Sequence, residues 1–216
     1  MEVDMKIQDE KVRDVLRRIE VEDEQERVWI VGPEVGELLY DLILELVRAD
    51  EGHEGVSRKL TCLEIGTSVG YSAIWMGSAM RGGKLWTVES HAERFERARA
   101  NVVEAGLEDL IVQVKGHAPE VFEDASFGIP DELDFVFFDA TKYEHASYFD
   151  VVFPRMRAGS MLVVDNVISH GEEMADFVNM LKKHPQLECE LHEIGAGVLV
   201  CKVSSLSRPA RQGHSA

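Results

Sequence analysis

Asp139 and Asp165 each follow directly on four apolar residues, in FVFFDATK (135–142) and MLVVDNV (161–167), and Asn166 comes next after the second. An acid at the end of such a run is costly to bury without a partner. Two carboxylates and one amide oxygen form a hard-oxygen set. It suits Mg²⁺ or a similar divalent ion, with water and substrate filling the other positions. Lys142 lies three residues past Asp139. Beside such a cation, an amine at this place is a candidate general base. Asp and Asn also cap helices, so the spacing by itself leaves both roles open.

A second set of residues points to a nucleotide-like ligand. In LEIGTSVGYS (63–72), Gly66 and Gly70 permit a tight turn and close approach of the backbone to a ligand. The spacing is not GxGxxG, which counts against a dinucleotide site. One helix and one strand later, LWTVE (85–89) ends in Glu89. An acid at the end of a second strand can accept hydrogen bonds from both hydroxyls of a ribose. A structural turn with a solvated glutamate is the plainer reading of either motif alone. Glu64, Gly66 and Glu89 together favour the ligand.

These residues need a scaffold that brings strand ends to one place. Residues 5–28 place Ile7, Val12, Val15, Leu16 and Ile19 on one stripe of a helix. Pro33 opens another, with Leu38, Leu39, Leu42, Ile43, Leu46 and Val47 on its apolar face. Residues 50–58 form a polar connection. Strand-like runs then fall at 60–65, 84–88, 110–114, 133–138 and 160–164, with helix-like segments near 70–80, 91–105, 118–125, 145–156 and 171–184. Alternation of this kind predicts a parallel sheet with helices on both faces. LECELHEI (187–194) and VLVCKV (198–203) are separated by three residues, too few for a parallel crossover, so they form an antiparallel hairpin. The expected organisation is 1–58 as N-terminal helices on the domain or a dimer partner, 59–203 as the ligand-binding domain, and 204–216 as a disordered tail.

With 216 residues, 45% hydrophobic and 29% charged, the chain suits one sizeable globular domain. No apolar run is long enough to span a bilayer, and the first residues lack a signal-peptide pattern, so a cytoplasmic location is expected. Cys62, Cys189 and Cys201 fall in strand-like runs without a CxxC pair, and are expected as buried reduced thiols. A net charge of −17 argues against nucleic acid as partner.

Taken together, these motifs resemble the class I S-adenosylmethionine-dependent methyltransferases, in the metal-dependent O-methyltransferase branch that includes the catechol and caffeoyl-CoA enzymes. The resemblance runs from about residue 28 to 203. It implies a Rossmann-like, mostly parallel seven-stranded sheet ending in an antiparallel hairpin. It implies S-adenosylmethionine bound by Val31, Glu64, Gly66, Ser72, Glu89, Ser90, His117, Ala118 and Asp139. It further implies a divalent cation (Mg²⁺, or Mn²⁺ or Ca²⁺) on Asp139, Asp165 and Asn166, and Lys142 as the catalytic base. Tyr148 matches a recurrent tyrosine without an assigned role. Thr141, His145 and His117 depart from the family pattern, and GAGVLV has no acid where the catechol enzymes carry one. His170 falls either on the pocket wall or on a loop. The expected function is methyl transfer to a metal-chelated hydroxyl of a small catechol-like or phenolic acceptor, by a homodimer. The alternatives are a tRNA hydroxyuridine O-methyltransferase, an NAD-linked oxidoreductase, and a non-catalytic cofactor-binding protein.

Overall fold

The computed structural model describes residues 6–50 and 59–204. Seven strands form one sheet: β1 (Leu60–Ile65), β2 (Gly83–Glu89), β3 (Ile111–Lys115), β4 (Leu133–Phe138), β5 (Met156–Val164), β6 (Leu187–His192) and β7 (Val198–Val203). Their order is β3-β2-β1-β4-β5-β7-β6. The first five pair in parallel, and β7 runs antiparallel to both β5 and β6. The α/β class, the mostly parallel sheet and the closing hairpin all stand as expected. Strand order reverses between β1 and its two neighbours, and ligands bind at such a switch point, at the carboxyl ends of the strands.

Strand β4 is buried at every position. That burial follows from helices on both faces, which turn a period-two pattern into a continuous apolar run. Phe135 and Phe137 join the core under α1 (Glu10–Glu26), α2 (Pro33–Asp50) and α3 (Tyr71–Ala79). Val136 and Phe138 join the opposite core under α5 (His145–Val152) and α6 (Gly171–Lys183). Helix α4 (Ala92–Glu104) follows β2.

Asp9 caps α1 by accepting from the Lys11 and Val12 amides. The α1 stripe of Val12, Val15, Leu16 and Ile19 is fully buried within this chain. Polar contacts hold the helix in place: Arg18 reaches Glu22, Asn101 and Glu104, and the Tyr71 hydroxyl donates to Glu20 at 2.5 Å. At the far end of the sheet, Asp134 accepts from the Thr61 amide at 2.8 Å and pairs with Arg157.

Three local expectations are corrected. The segment near 118–125 is two 3₁₀ turns, Glu120–Phe122 and Ala125–Phe127, because the Asp124 side chain captures the Ser126 amide and Gly128 turns left-handed. Strand β5 begins at Met156, where it pairs with Leu133, rather than at 160. Cys189 and Cys201 form a disulfide in place of reduced thiols. They face each other across the β6–β7 ladder with Cα atoms 4.0 Å apart, within covalent reach. Cys62 is a buried free thiol, pushed up in pKa by burial. Residues 51–58, most of the expected polar connection, and 205–216 of the expected tail lie outside the described residues. Among the described residues no helix is long and apolar enough to cross a membrane.

Candidate active site

Backbone pairing continues one residue past each central strand, and that alignment builds the site. Gly66 donates to the Val88 carbonyl (3.1 Å), Asp139 to Ile65 (2.9 Å) and Asp165 to Phe138 (3.1 Å). Gly66, Asp139 and Asp165 thus stand side by side where β1, β4 and β5 end. They open on a cavity of about 660 Å³, within the range of small-molecule sites. Ser68, Glu89, Ser90, His117, Ala118, Lys142, Tyr148, Asn166 and His170 line the same cavity.

The glycine turn needs its glycine. Gly66 has φ +106, and a Cβ there would lie 2.5 Å from the Asp139 carbonyl oxygen. Gly66→Ala is therefore expected to destabilise the fold by a few kcal/mol, roughly the cost of overpacking plus backbone strain. It should also weaken binding of a nucleoside ligand at least ~10-fold. Urea denaturation and calorimetric titration with S-adenosylhomocysteine check the two effects.

Glu64 and Ser72 stand behind this turn and do not line the cavity. Glu64 is fully buried, accepts from Ser72 Oγ at 2.5 Å and from the Thr87 hydroxyl, and so props the loop from below. Burial raises its carboxyl to about 7. Glu89 occupies the wall itself. One of its oxygens takes the Ser68 amide (2.9 Å) and the other the His91 amide (2.7 Å). A carboxylate has about four acceptor sites, so both oxygens keep capacity for a diol.

The carboxylates at the other side are in tension. Lys142 Nζ donates to Asp139 Oδ1 at 3.0 Å. Asp165 is buried, and its Oδ1 has no hydrogen-bond partner. Burial first, and then the Asp139 charge, push the Asp165 carboxyl up. Burial likewise raises Asp139 against the pull of Lys142. An orphaned oxygen beside a second carboxylate is the donor set a divalent cation would satisfy, with the Asn166 amide as a third oxygen. Asn166 adopts φ 64, which asparagine tolerates better than most side chains. Among the described residues no group of three His, Cys, Asp or Glu side chains is arranged around one point, so a cation here depends on the amide.

His117 bridges two walls. Its Nδ1 meets Glu120 at 2.8 Å and its Nε2 meets Glu144 at 3.3 Å, while the Tyr148 hydroxyl donates to Glu144 at 2.7 Å. The Glu120 contact is the main cause that raises the imidazole above its usual range.

Below the Lys142 turn, His145 is fully buried against Phe138, Tyr148 and Phe177, with Nδ1 2.9 Å from the Lys142 carbonyl. Burial lowers its pKa to about 4. The folded protein keeps it neutral where the unfolded chain takes up a proton. Its contribution is therefore complete above pH ~6.5 and is lost, by up to about 3 kcal/mol, as pH falls toward 4. The difference in urea-unfolding free energy between pH 7.5 and 4.5 should shrink by that order in His145→Gln. An unchanged difference would exclude the histidine as the source.

Trp29, Ile30, Arg94 and Ala140 also line the cavity and were not singled out in the sequence, and Thr141, noted there only as a departure from the family pattern, lines it too. Val31 was, yet Trp29 and Ile30 take the wall while Val31 packs on the core. A tryptophan ahead of Pro33, outside any apolar stripe, was the available signal.

The model of the O-methyltransferase family matches residues 6–203. A catechol O-methyltransferase of Mycobacterium tuberculosis is 33% identical over 138 residues, which cover 58% of this chain and 61% of that protein. A catechol O-methyltransferase of Niastella koreensis is 33% identical over 111 residues, 51% of this chain and 50% of that protein. The matches thus span only half to three-fifths of these relatives. Among solved structures, an O-methyltransferase from Bacillus cereus in complex with SAH superposes with a TM-score of 0.76 at 22% identity, covering 93% of this chain and 94% of the other. TomG from Streptomyces achromogenes, an O-methyltransferase of tomaymycin synthesis in complex with SAM, gives 0.73 at 25% identity over 91% of each chain.

Proposed function

This chain belongs to the O-methyltransferase family, and from that membership we propose that it transfers a methyl group from S-adenosylmethionine to a hydroxyl of a small phenolic or catechol-like acceptor held beside a divalent cation. One observation carries the reading. Asp165, Asp139, Lys142, Gly66 and Glu89 all line one cavity, and one Asp165 oxygen is buried there without a partner. A relative's complex with SAM and others named as catechol enzymes support the choice of donor and acceptor class. The net charge of −17 supports a small molecule over nucleic acid as acceptor.

In this reading Glu89 binds the ribose hydroxyls of the donor, and the Gly66 backbone lets its methionine part approach the strand ends. Ser90, His117 and Ala118 border the adenine. When bound, the donor supplies an electrophilic methyl group. Asp139, Asp165 and Asn166 would hold the cation, which would lower the pKa of an acceptor hydroxyl bound to it. In its neutral amine form, having given up the proton it now shares with Asp139, Lys142 would accept the hydroxyl proton at Nζ. Holding the reacting oxygen in line with the methyl group is the remaining task of the cavity walls.

The test is a methyl-transfer assay with labelled S-adenosylmethionine against catechols and phenols, with and without Mg²⁺. The expected result is methylated product plus S-adenosylhomocysteine, dependent on the cation with catechols. No product from any vicinal diol, in a protein that S-adenosylmethionine does not stabilise against heat, would refute the reading.

A further inference from the structure

A second concavity, about 370 Å³ in volume, is lined by Lys6, Tyr40, Asp41, Leu44, Val47, Arg48 and Arg81. It shares no lining residue with the cavity at the strand ends. Arg81 stands two residues before β2 begins, so the concavity lies toward the amino end of the parallel strands, away from the candidate active site. Its floor is one face of α2: Tyr40, Leu44 and Val47 recur at helical spacing, with Asp41 and Arg48 beside them.

Three cations face this concavity against one carboxylate, on a chain whose net charge is −17. Lys6 is engaged by Asp41 at 2.5 Å, and Glu37 acts on it electrostatically as well. The Arg48 and Arg81 guanidinium groups make no hydrogen bond or ion pair with any described residue. The turn that presents Arg81 is fixed by its sequence. Gly82 and Gly83 both have positive φ (146 and 94), and a Cβ on Gly83 would collide with the Leu60 backbone. Tyr40 is only 8% exposed, with its ring edge-on to Trp75 at 6.3 Å. Its hydroxyl, the polar end of a side chain that lines the concavity, has no hydrogen-bond partner among the described residues. A nearly buried hydroxyl left without a partner is costly, and a ligand oxygen would satisfy it.

From these residues we propose that the concavity binds a small phosphate monoester, its phosphoryl oxygens on the Arg48 and Arg81 guanidinium groups and the Tyr40 hydroxyl, and its apolar ester group on Leu44 and Val47. The proposal is independent of the methyl-transfer reading. Guanidinium forks match phosphate oxygens in pairs. A phosphoryl group has three terminal oxygens for the two forks and the hydroxyl, where a carboxylate has two. The carboxyl end of α2 contributes about half a negative charge, which two guanidinium groups without a carboxylate partner outweigh.

The test is calorimetric titration of phenyl phosphate into the full chain saturated with S-adenosylhomocysteine, with inorganic phosphate and benzoate titrated in parallel. The expected result is one site per chain that binds phenyl phosphate at least ~10-fold more tightly than either of the others. Arg48→Gln/Arg81→Gln should weaken phenyl phosphate at least ~10-fold, and Tyr40→Phe by ~3-fold or more. Both arginines are exposed, so the double variant should keep the wild-type melting temperature without ligand. Absence of binding up to ~5 mM, or an affinity that survives the double substitution, overturns the proposal. Benzoate binding as tightly as phenyl phosphate overturns the phosphoryl assignment, and inorganic phosphate binding as tightly overturns the ester.

Discussion

Asp165→Asn is expected to abolish most methyl transfer and at the same time to raise the melting temperature of the metal-free protein. The two effects have one cause. Asp165 is a buried carboxylate with an oxygen that nothing in the chain satisfies, next to the charge of Asp139. Leaving a buried polar group unpaired costs about 1–3 kcal/mol. Asparagine removes the charge at nearly constant shape. In a chain of this size each kcal/mol corresponds to about 2–4 °C. In the proposed mechanism the same change removes a cation ligand. Lowering the pKa of a phenol by ~3 units is worth ~4 kcal/mol, so losing that effect corresponds to ~10³-fold in rate. Chelation of the wild type with EDTA should produce a loss of the same order, reversed by Mg²⁺. Differential scanning fluorimetry with and without Mg²⁺ gives a second readout, because the stabilisation by Mg²⁺ expected of the wild type should disappear in the variant. An Asp165→Asn protein with full activity and an intact Mg²⁺ shift would remove the cation from the account.

Lys142→Met is the second large effect. Loss of a positioned general base lowers the rate by about 10²–10⁴-fold. Donor affinity should change little if, as proposed, Glu89 and the Gly66 backbone hold the donor, because neither depends on the Lys142 side chain. The substitution also leaves Asp139 without the ammonium that now stands 3.0 Å from it. The metal-free variant should therefore be less stable than the wild type, and Mg²⁺ should stabilise it by more, since the cation would then be the chief positive charge facing two carboxylates. A rate within threefold of the wild type would assign the proton to another acceptor. A smaller Mg²⁺ shift than in the wild type would mean that lysine and cation do not compete for the same carboxylate.

Much of the fold is legible in local pattern. Short apolar runs rich in aromatic and β-branched residues, such as FVFF and MLVV, fit strands covered on both faces, and a three-residue connection between the last two strands admits only an antiparallel hairpin. The 118–125 segment shows where local reading stops. Its periodicity suits a helix, but capture of the Ser126 amide by Asp124 and the left-handed Gly128 break it into turns. The disulfide could not be read at all. Cys189 and Cys201 look alike in either redox state until the β6–β7 register places them face to face.

Local pattern is enough to mark which residues end strands, because apolar runs and the acids that stop them are properties of neighbouring positions along the chain. It could not decide which of those ends share a wall. Glu64 and Glu89 read alike as acids in strand ends, yet one lies beneath the glycine turn and the other at the cavity. Asp139 and Asp165 read alike too, yet Lys142 pairs with one and the other keeps an orphaned oxygen. Trp29 stands out along the chain only as a tryptophan outside the apolar stripes, and its place at the cavity depends on a left-handed backbone held by Asp23 and by Ser68, which lies 40 positions from Val28. Strand order and side-chain direction depend on contacts between residues distant in sequence, and only the folded chain brings them together.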